Sequence, residues 1–304
     1  MTTRTKPRSL LRIADLTPGE LHRALDLAAA MKEDPTGWHD ALAGTSVACY
    51  FSKPSTRTRI SFEAAVHRLG GLPIMLRPDE LQLGRGEPIA DTARVMSSYC
   101  SAIVIRTFAQ SDVEEMAAAA SVPVINALTD DHHPCQALAD LLTLRERFGD
   151  LHGLPVAYVG DGNNVAHSLI EAAMLTGIDL RLACPEGYRP DPEIAAGATV
   201  LENPREAVAG ARAVYTDVWV SMGDAESERQ RRLDDLNHYR VTPGLMGLAA
   251  SDAIFLHCLP AHRGEEVATA VIDGAHSAVW EQAANRLPTE QAALYALVTG
   301  DWEV

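Results

Sequence analysis

Lysine is scarce in this chain: among 304 residues there are only Lys6, Lys32 and Lys53, and acidic side chains outnumber basic ones 41 to 26, leaving a formal charge of −15. With no basic excess to displace counterions, a general nucleic-acid binder is excluded. The five cysteines, Cys49, Cys100, Cys135, Cys184 and Cys258, are scattered without a C-x-x-C pair. That argues against both a zinc site and a disulfide framework, and reduced, mostly buried thiols in a cytosolic protein are expected. No apolar run approaches the length of a membrane span. Met1 to Arg12 is basic but lacks the apolar stretch of a signal peptide, and Leu10 to Leu16 already reads as folded chain rather than presequence. There is no internal repeat and no low-complexity tract. What remains, 47% apolar and 22% charged, describes a soluble, cytoplasmic globular protein with two domains of about 150 residues each.

Against this acidic background one local cationic stretch stands out, Ser52-Lys53-Pro54-Ser55-Thr56-Arg57-Thr58-Arg59. It follows the apolar run Thr45 to Phe51, read as a buried strand, and precedes a helix over Ile60 to Leu69 closed by Gly70-Gly71. A strand entering a hydroxyl-rich helix start forms an anion pocket, because first-turn N–H groups and the positive end of the helix dipole face the ligand. Ser55, Thr56 and Thr58 add hydroxyl donors, and Arg57 a planar clamp suited to phosphate oxygens. The alternative is an ordinary capped helix with solvated arginines.

Thr17-Pro18-Gly19-Glu20 reads as a capping box opening the first helix. Strand-plus-helix units then recur: Val47 to Phe51, Pro73 to Leu76, Ala102 to Arg106 and Val122 to Asn126, each followed by a helical pattern, the last by Pro134 to Phe148. Such alternation predicts a parallel sheet covered on both faces, with ligands at the carboxyl ends of the strands. Arg106 ends one strand; His133 and Gln136 follow another, three apart at a helix start, where they share a face and can grip one carbonyl oxygen. Taken singly, Arg106 could be a surface arginine and His133 a capping histidine.

A boundary is expected near Gly149-Asp150 and His152-Gly153, and a second α/β unit from Leu154, with further strands at Leu180 to Cys184, Val214 to Val218 and Ala253 to His257. Gly160-Asp161-Gly162-Asn163-Asn164-Val165 after its first strand invites a nucleotide reading with Glu186 as ribose acid. Val165, standing where the third glycine of the dinucleotide fingerprint belongs, weakens it. Asp217, the Ser221-Met222-Gly223 loop and the irregular segment His257 to Glu266 follow strands, where function concentrates. Cys258 could be a nucleophile, a substrate neighbour or core packing.

Ser-Thr-Arg-Thr-Arg at 55 to 59, His-Pro-Cys-Gln at 133 to 136 and His-Cys-Leu-Pro-Ala-His-Arg-Gly-Glu-Glu at 257 to 266 together resemble the aspartate/ornithine carbamoyltransferase family. Asp-Val-Trp-Val-Ser-Met-Gly at 217 to 223, with Gly-Asp-Gly-Asn-Asn at 160 to 164, points to its ornithine branch, and the likeness spans Leu10 to the last helix. The resemblance implies an α/β fold of two doubly wound parallel-sheet domains of similar size: a carbamoyl phosphate domain over 1–148, joined by a returning C-terminal helix over 287–304, and an ornithine domain over 149–286. It implies carbamoyl transfer from carbamoyl phosphate to the side-chain amine of L-ornithine, giving L-citrulline and phosphate, in arginine biosynthesis. Another amine such as putrescine is the alternative acceptor.

By the same resemblance Ser55, Thr56, Arg57 and Thr58 hold the phosphate. Arg106, His133 and Gln136 bind the carbamoyl end, and Arg286 reaches back from the last helix. Cys258 and Leu259 face the carbamoyl nitrogen through backbone carbonyls, while Asn164, Asp217, Ser221 and Met222 position ornithine. Arg106, His133 and Cys258 form the catalytic group, Cys258 without a covalent role. No metal or organic cofactor is implied, and family members are typically homotrimers, sometimes assembled further. Ser52, where the family commonly has glutamate, and His132, where an aromatic residue is usual, depart from the pattern.

Overall fold

The computed structural model describes residues 7–81, 86–220 and 226–302. The chain divides into two compact units, Met1–Leu138 with Arg286–Val304, and Ala139–Asn285. Each is an α/β layer structure around its own parallel sheet.

The first unit opens with α1 (Pro18–Glu33), and its start is the capping box expected from the sequence: Glu20 N–H donates to Thr17 Oγ1 at 3.3 Å and Thr17 N–H to Glu20 Oε2 at 2.9 Å. Then follow β1 (Ser46–Phe51), α2 (Arg57–Arg68), β2 (Leu72–Leu76), α3 (Ile89–Tyr99), β3 (Ala102–Arg106), α4 (Gln110–Ala119), β4 (Val124–Leu128) and the first turn of α5 (Pro134–Phe148). The strands run parallel in the order β2-β1-β3-β4. Alternate residues Ala48, Tyr50, Ile103 and Ile105 pack against Ala93 and Met96 of α3 and Val113 and Met116 of α4. Val47, Cys49 and Val104, on the other face, are equally buried. Burial on both faces is why these strands read as continuous apolar runs rather than alternating ones. Chain order reverses direction between β1 and β3, so the loop after β1 and the end of β3 border the switch point where such sheets bind ligands.

Two local features shape that edge. Helix α2 begins at Arg57, earlier than its apolar periodicity suggested, and ends where Gly70 takes φ 80; a Cβ there would lie 1.9 Å from the His39 carbonyl oxygen. In β3 the register against β4 shifts between Ile105 and Arg106, an irregularity that re-aims the last side chain of the strand.

The second unit contains the rest of α5, then β5 (Pro155–Val159), α6 (Asn164–Thr176), β6 (Asp179–Ala183), β7 (Thr199–Leu201), α7 (Pro204–Val208), β8 (Ala213–Thr216), α8 (Glu226–Leu236), α9 (Pro243–Met246), β9 (Ile254–His257), α10 (Thr269–Ile272) and the start of α11 (Val279–Thr299). Its parallel sheet has the order β7-β6-β5-β8-β9, with the switch point between β5 and β8. Ala157, Val159, Val214, Trp219, Phe255 and Ile272 belong to its core. Helix α11 carries Pro288 in its interior and continues into the first unit at Arg286. Within the second unit α5 and α11 are tied by Gln282 Nε2 to Asp140 Oδ1 at 2.7 Å and Asn285 Nδ2 to Thr143 Oγ1 at 3.0 Å. Among the described residues no helix is long and apolar enough to cross a membrane.

Candidate active site

In the first unit the elements converge on the switch point. Ser55 lies in the loop leaving β1, Thr56 is the N-cap of α2 and makes no side-chain cap bond, and Arg57 and Thr58 form the first turn. Arg106, at the end of β3, is almost wholly buried and donates from Nη1 to Ser55 Oγ at 3.3 Å. His133 and Gln136 flank the start of α5, both buried. From α11, Arg286 donates through Nη1 to Gln136 Oε1 at 2.9 Å and through Nη2 to Thr58 Oγ1 at 3.2 Å. Ser55, Thr58, Arg106, His133, Gln136 and Arg286 are thus drawn together, although Arg286 is separated from Thr58 by 228 residues of chain. Arg57 itself is exposed.

The electrostatics follow from burial. His133 is held well below the usual imidazole range, first because burial disfavours its charged form and then because the Arg286 and Arg106 guanidiniums repel it. It is a neutral ring beside two cations, able to donate a hydrogen bond without adding charge. Lys53, the lysine of the cationic stretch, is paired with Asp130 and sits 4.2 Å over the Phe108 ring. Ser52 donates from both N–H and Oγ to the Arg106 carbonyl, at 2.9 and 3.0 Å, so this position stitches the end of β1 to the end of β3.

The second unit builds a polar cluster in the same way. Asp217 follows β8 and is buried; its Oδ2 accepts from Asn163 Nδ2 at 2.8 Å and its Oδ1 from Cys258 Sγ at 2.8 Å. Asn163 Oδ1 caps α6, accepting from the N–H groups of Val165 at 3.0 Å and Ala166 at 3.3 Å, while Tyr158 Oη donates to it at 3.2 Å. Asn164, the first residue of α6, is half-buried beside them. Cys258 and Leu259 follow β9; Leu259 adopts φ 59 and its N–H donates to His257 Nδ1 at 2.9 Å. His257 Nε2 in turn contacts Glu266 Oε1 at 3.1 Å, and both side chains are fully buried, which fixes the backbone of the loop. The expected ornithine contacts Ser221 and Met222 lie outside the described residues.

Among the described residues two groups could hold a cation by proximity, Asp217, His257 and Cys258, and His262, Glu265 and Glu266, the ligand atoms in each lying within 4.8 Å of one another. In the first, both His257 nitrogens are already engaged, by Leu259 N–H and by Glu266. In the second, Glu265 pairs with Arg229, and Glu266 accepts from His262 N–H at 2.5 Å. Both groups are thus already hydrogen-bonded within the second unit. The nucleotide reading loses its footing too: a Cβ on Gly162 would lie 2.4 Å from Pro190 N, so the chain itself fills the space beside this glycine, and Glu186 is exposed.

Glu290, which accepts from Arg286 Nε at 3.0 Å and Nη2 at 2.6 Å, escaped the sequence reading, while Asn163, His257 and Glu266 were named there only within motifs, without the partners the fold gives them. Asn163 carried a signal as a cap residue at a strand-to-helix turn, and Glu290 carried none.

Residues 8–146 match the carbamoyl-P binding domain of aspartate/ornithine carbamoyltransferase, and residues 152–297 match the Asp/Orn binding domain. The chain belongs to the aspartate/ornithine carbamoyltransferase family. Within that family it is 48% identical to the ornithine carbamoyltransferase of Gloeobacter violaceus, over 98% of this chain and 97% of the relative. It is 50% identical to that of Acidothermus cellulolyticus, over 96% of each. The solved ornithine carbamoyltransferase of Pyrococcus furiosus superposes with a TM-score of 0.92 at 46% identity, covering 97% of each chain. That of Thermus thermophilus superposes with a TM-score of 0.90 at 44% identity, over 97% of this chain and all of the other. The carbamoyl-P model thus falls on the anion-loop sheet, and the Asp/Orn model on the sheet bearing Asp217.

Proposed function

We propose that this chain transfers the carbamoyl group of carbamoyl phosphate to the side-chain amine of L-ornithine, giving L-citrulline and phosphate. The observation that carries this reading is the buried set Arg106, His133, Gln136 and Arg286, linked through Ser55, Gln136 and Thr58, which gathers cationic and neutral donors beside the start of α2. In the proposed reaction the neutral amine attacks the carbamoyl carbon. The new N–C bond forms, the bond between the carbamoyl carbon and the bridging oxygen breaks, phosphate leaves with that oxygen and the electron pair, and the amine's surplus proton passes to phosphate or solvent. Negative charge grows on the carbamoyl oxygen, where donors from Arg106, His133 and Thr58, fixed beforehand, lower the barrier. Ser55, Thr56, Arg57 and Thr58 receive the phosphate at the start of α2.

A free alkyl amine has a pKa of about 10, so catalysis includes selecting the deprotonated form. Asp217 pairs with the α-ammonium group of ornithine, beside Asn164, Ser221 and Met222, leaving the side-chain amine without a carboxylate partner. The Cys258 and Leu259 carbonyls, on a backbone fixed by His257, face the carbamoyl nitrogen.

The same reading places the protein in the cytoplasm, in arginine biosynthesis, as a homotrimer or an assembly of trimers. Exposed Leu72 on the edge strand β2 and Val95 and Tyr99 on α3 support association of copies. A citrulline-formation assay with ornithine, putrescine, acetylornithine and aspartate in parallel tests the activity. Turnover with ornithine alone is expected, and turnover only with another amine refutes the assignment. Light scattering tests the assembly.

A further inference from the structure

Glu290 lies one turn beyond Arg286 on α11 and is fully buried. Its Oε1 accepts from Arg286 Nε and Nη2, and Ser61 of α2, whose Oγ donates to the Thr58 carbonyl at 3.2 Å, lies beside the carboxyl group. The other Arg286 bonds run to Gln136 at the start of α5 and Thr58 in the first turn of α2. A guanidinium is a rigid planar fork on a long flexible stem, so the acceptor that takes Nε and one Nη fixes where the remaining donors point.

The same carboxyl group is not there for stability at neutral pH. Burial pushes it from its ordinary 4.5 up to about 7, against the downward pull of Arg286 and Ser61. The folded chain therefore holds this proton more tightly than the unfolded chain does. Its contribution to stability is complete below 4.5 and is lost as pH rises toward 7. The other groups facing Glu290 are Cys49 from β1 and Cys135 from α5, whose thiols burial pushes above their ordinary value, so they add no charge at neutral pH. An ionised Glu290 thus leaves Arg286 as its counterion, at a cost in stability.

We propose that Glu290 is a positioning residue for carbamoyl phosphate, acting by holding Arg286 toward Gln136 and Thr58. This rests on the proposed carbamoyl transfer. Ionised Glu290 grips Nε and Nη2; once protonated it is a weaker acceptor and the fork loosens.

The test is steady-state citrulline formation by wild type and Glu290→Gln at pH 6 to 8, with carbamoyl phosphate varied at saturating ornithine and the reverse. At pH 8 the variant should show a KM for carbamoyl phosphate raised about tenfold, with the KM for ornithine and kcat little changed. The ratio between the two proteins should shrink toward unity by about pH 6, where wild-type Glu290 is itself protonated. A merely structural role would instead lower thermal stability and active fraction with KM unmoved. An unaltered KM, or a ratio constant in pH, overturns the proposal. Should the variant fail to fold, the wild-type profile decides: a carbamoyl phosphate KM rising as pH falls through about 7 supports it, and a flat one overturns it. No citrulline from wild type overturns the carbamoyl-transfer reading, and this proposal with it; a fully active wild type beside an indistinguishable variant overturns this proposal alone.

Discussion

Replacing Asp217 with asparagine separates the two substrates. Asparagine keeps the shape, and the local network can re-form around it: Asn163 Oδ1 is committed to capping α6, but Asn163 Nδ2 can still donate to the new amide oxygen. The fold should survive. What disappears is the buried negative charge proposed to meet the α-ammonium group of ornithine. Breaking a buried, hydrogen-bonded charge pair from one side costs about 2–5 kcal/mol; with Asp217 only 6% exposed, about 3 kcal/mol is a fair central value, or roughly a 100-fold weaker interaction. The KM for ornithine in Asp217→Asn should rise by about that factor, while calorimetric titration with carbamoyl phosphate gives the wild-type affinity. The ligand 5-aminovalerate, which lacks the α-amino group, provides the matching deletion on the other side. Wild type should discriminate strongly between ornithine and 5-aminovalerate, and the variant hardly at all. Equal discrimination by both proteins would show that Asp217 does not face that ammonium group, and the ornithine half of the reading would fall.

Two further outcomes are expected. Arg57→Ala should weaken carbamoyl phosphate binding by at least about tenfold with ornithine recognition intact, since Arg57 is exposed at the start of α2, where the phosphate is proposed to bind, and its loss leaves the buried donors in place; unchanged affinity by direct titration removes Arg57 from the phosphate site. His133, depressed by burial and two guanidiniums, should remain a neutral imidazole at about pH 6 by NMR of the labelled ring. The folded state then refuses a proton that the unfolded chain accepts, so this residue makes stability fall as pH drops below the ordinary imidazole value. An imidazolium signal at about pH 6 would contradict the assigned environment.

How far the sequence disclosed this arrangement depended on whether local chemistry or tertiary contact decided each feature. The strand ends at Arg106 and before Asp217 were legible because a buried parallel strand is an apolar run whose first polar residue marks its carboxyl end, whereas β4 runs past Asn126 to Leu128 and His133 stands at the start of α5. The fourth strand was expected from Val122 but begins at Val124; Pro123, lacking an N–H, cannot donate to a ladder, and the regular pairing starts after it. Strand β7, three residues long, offered no run to detect. Of the adjacent Asn163 and Asn164, pattern cannot say which caps the helix and which enters it; the fold gives the cap and the Asp217 contact to Asn163. Glu290 was invisible for a different reason. On a helix surface the pair Arg286–Glu290 would be an ordinary solvated i, i+4 ion pair, and only burial against α2 and α5 makes it a clamp.

Pro288 gives α11 a property that its length conceals. Four rungs of an α-helical ladder bridge the step from Asn285 to Arg286, where the chain passes out of one compact unit and into the other, and a proline at 288 deletes one of them for want of an N–H. The ladder is therefore one rung short beside Arg286, and the guanidinium is held instead through its side-chain bonds to Gln136, Thr58 and Glu290.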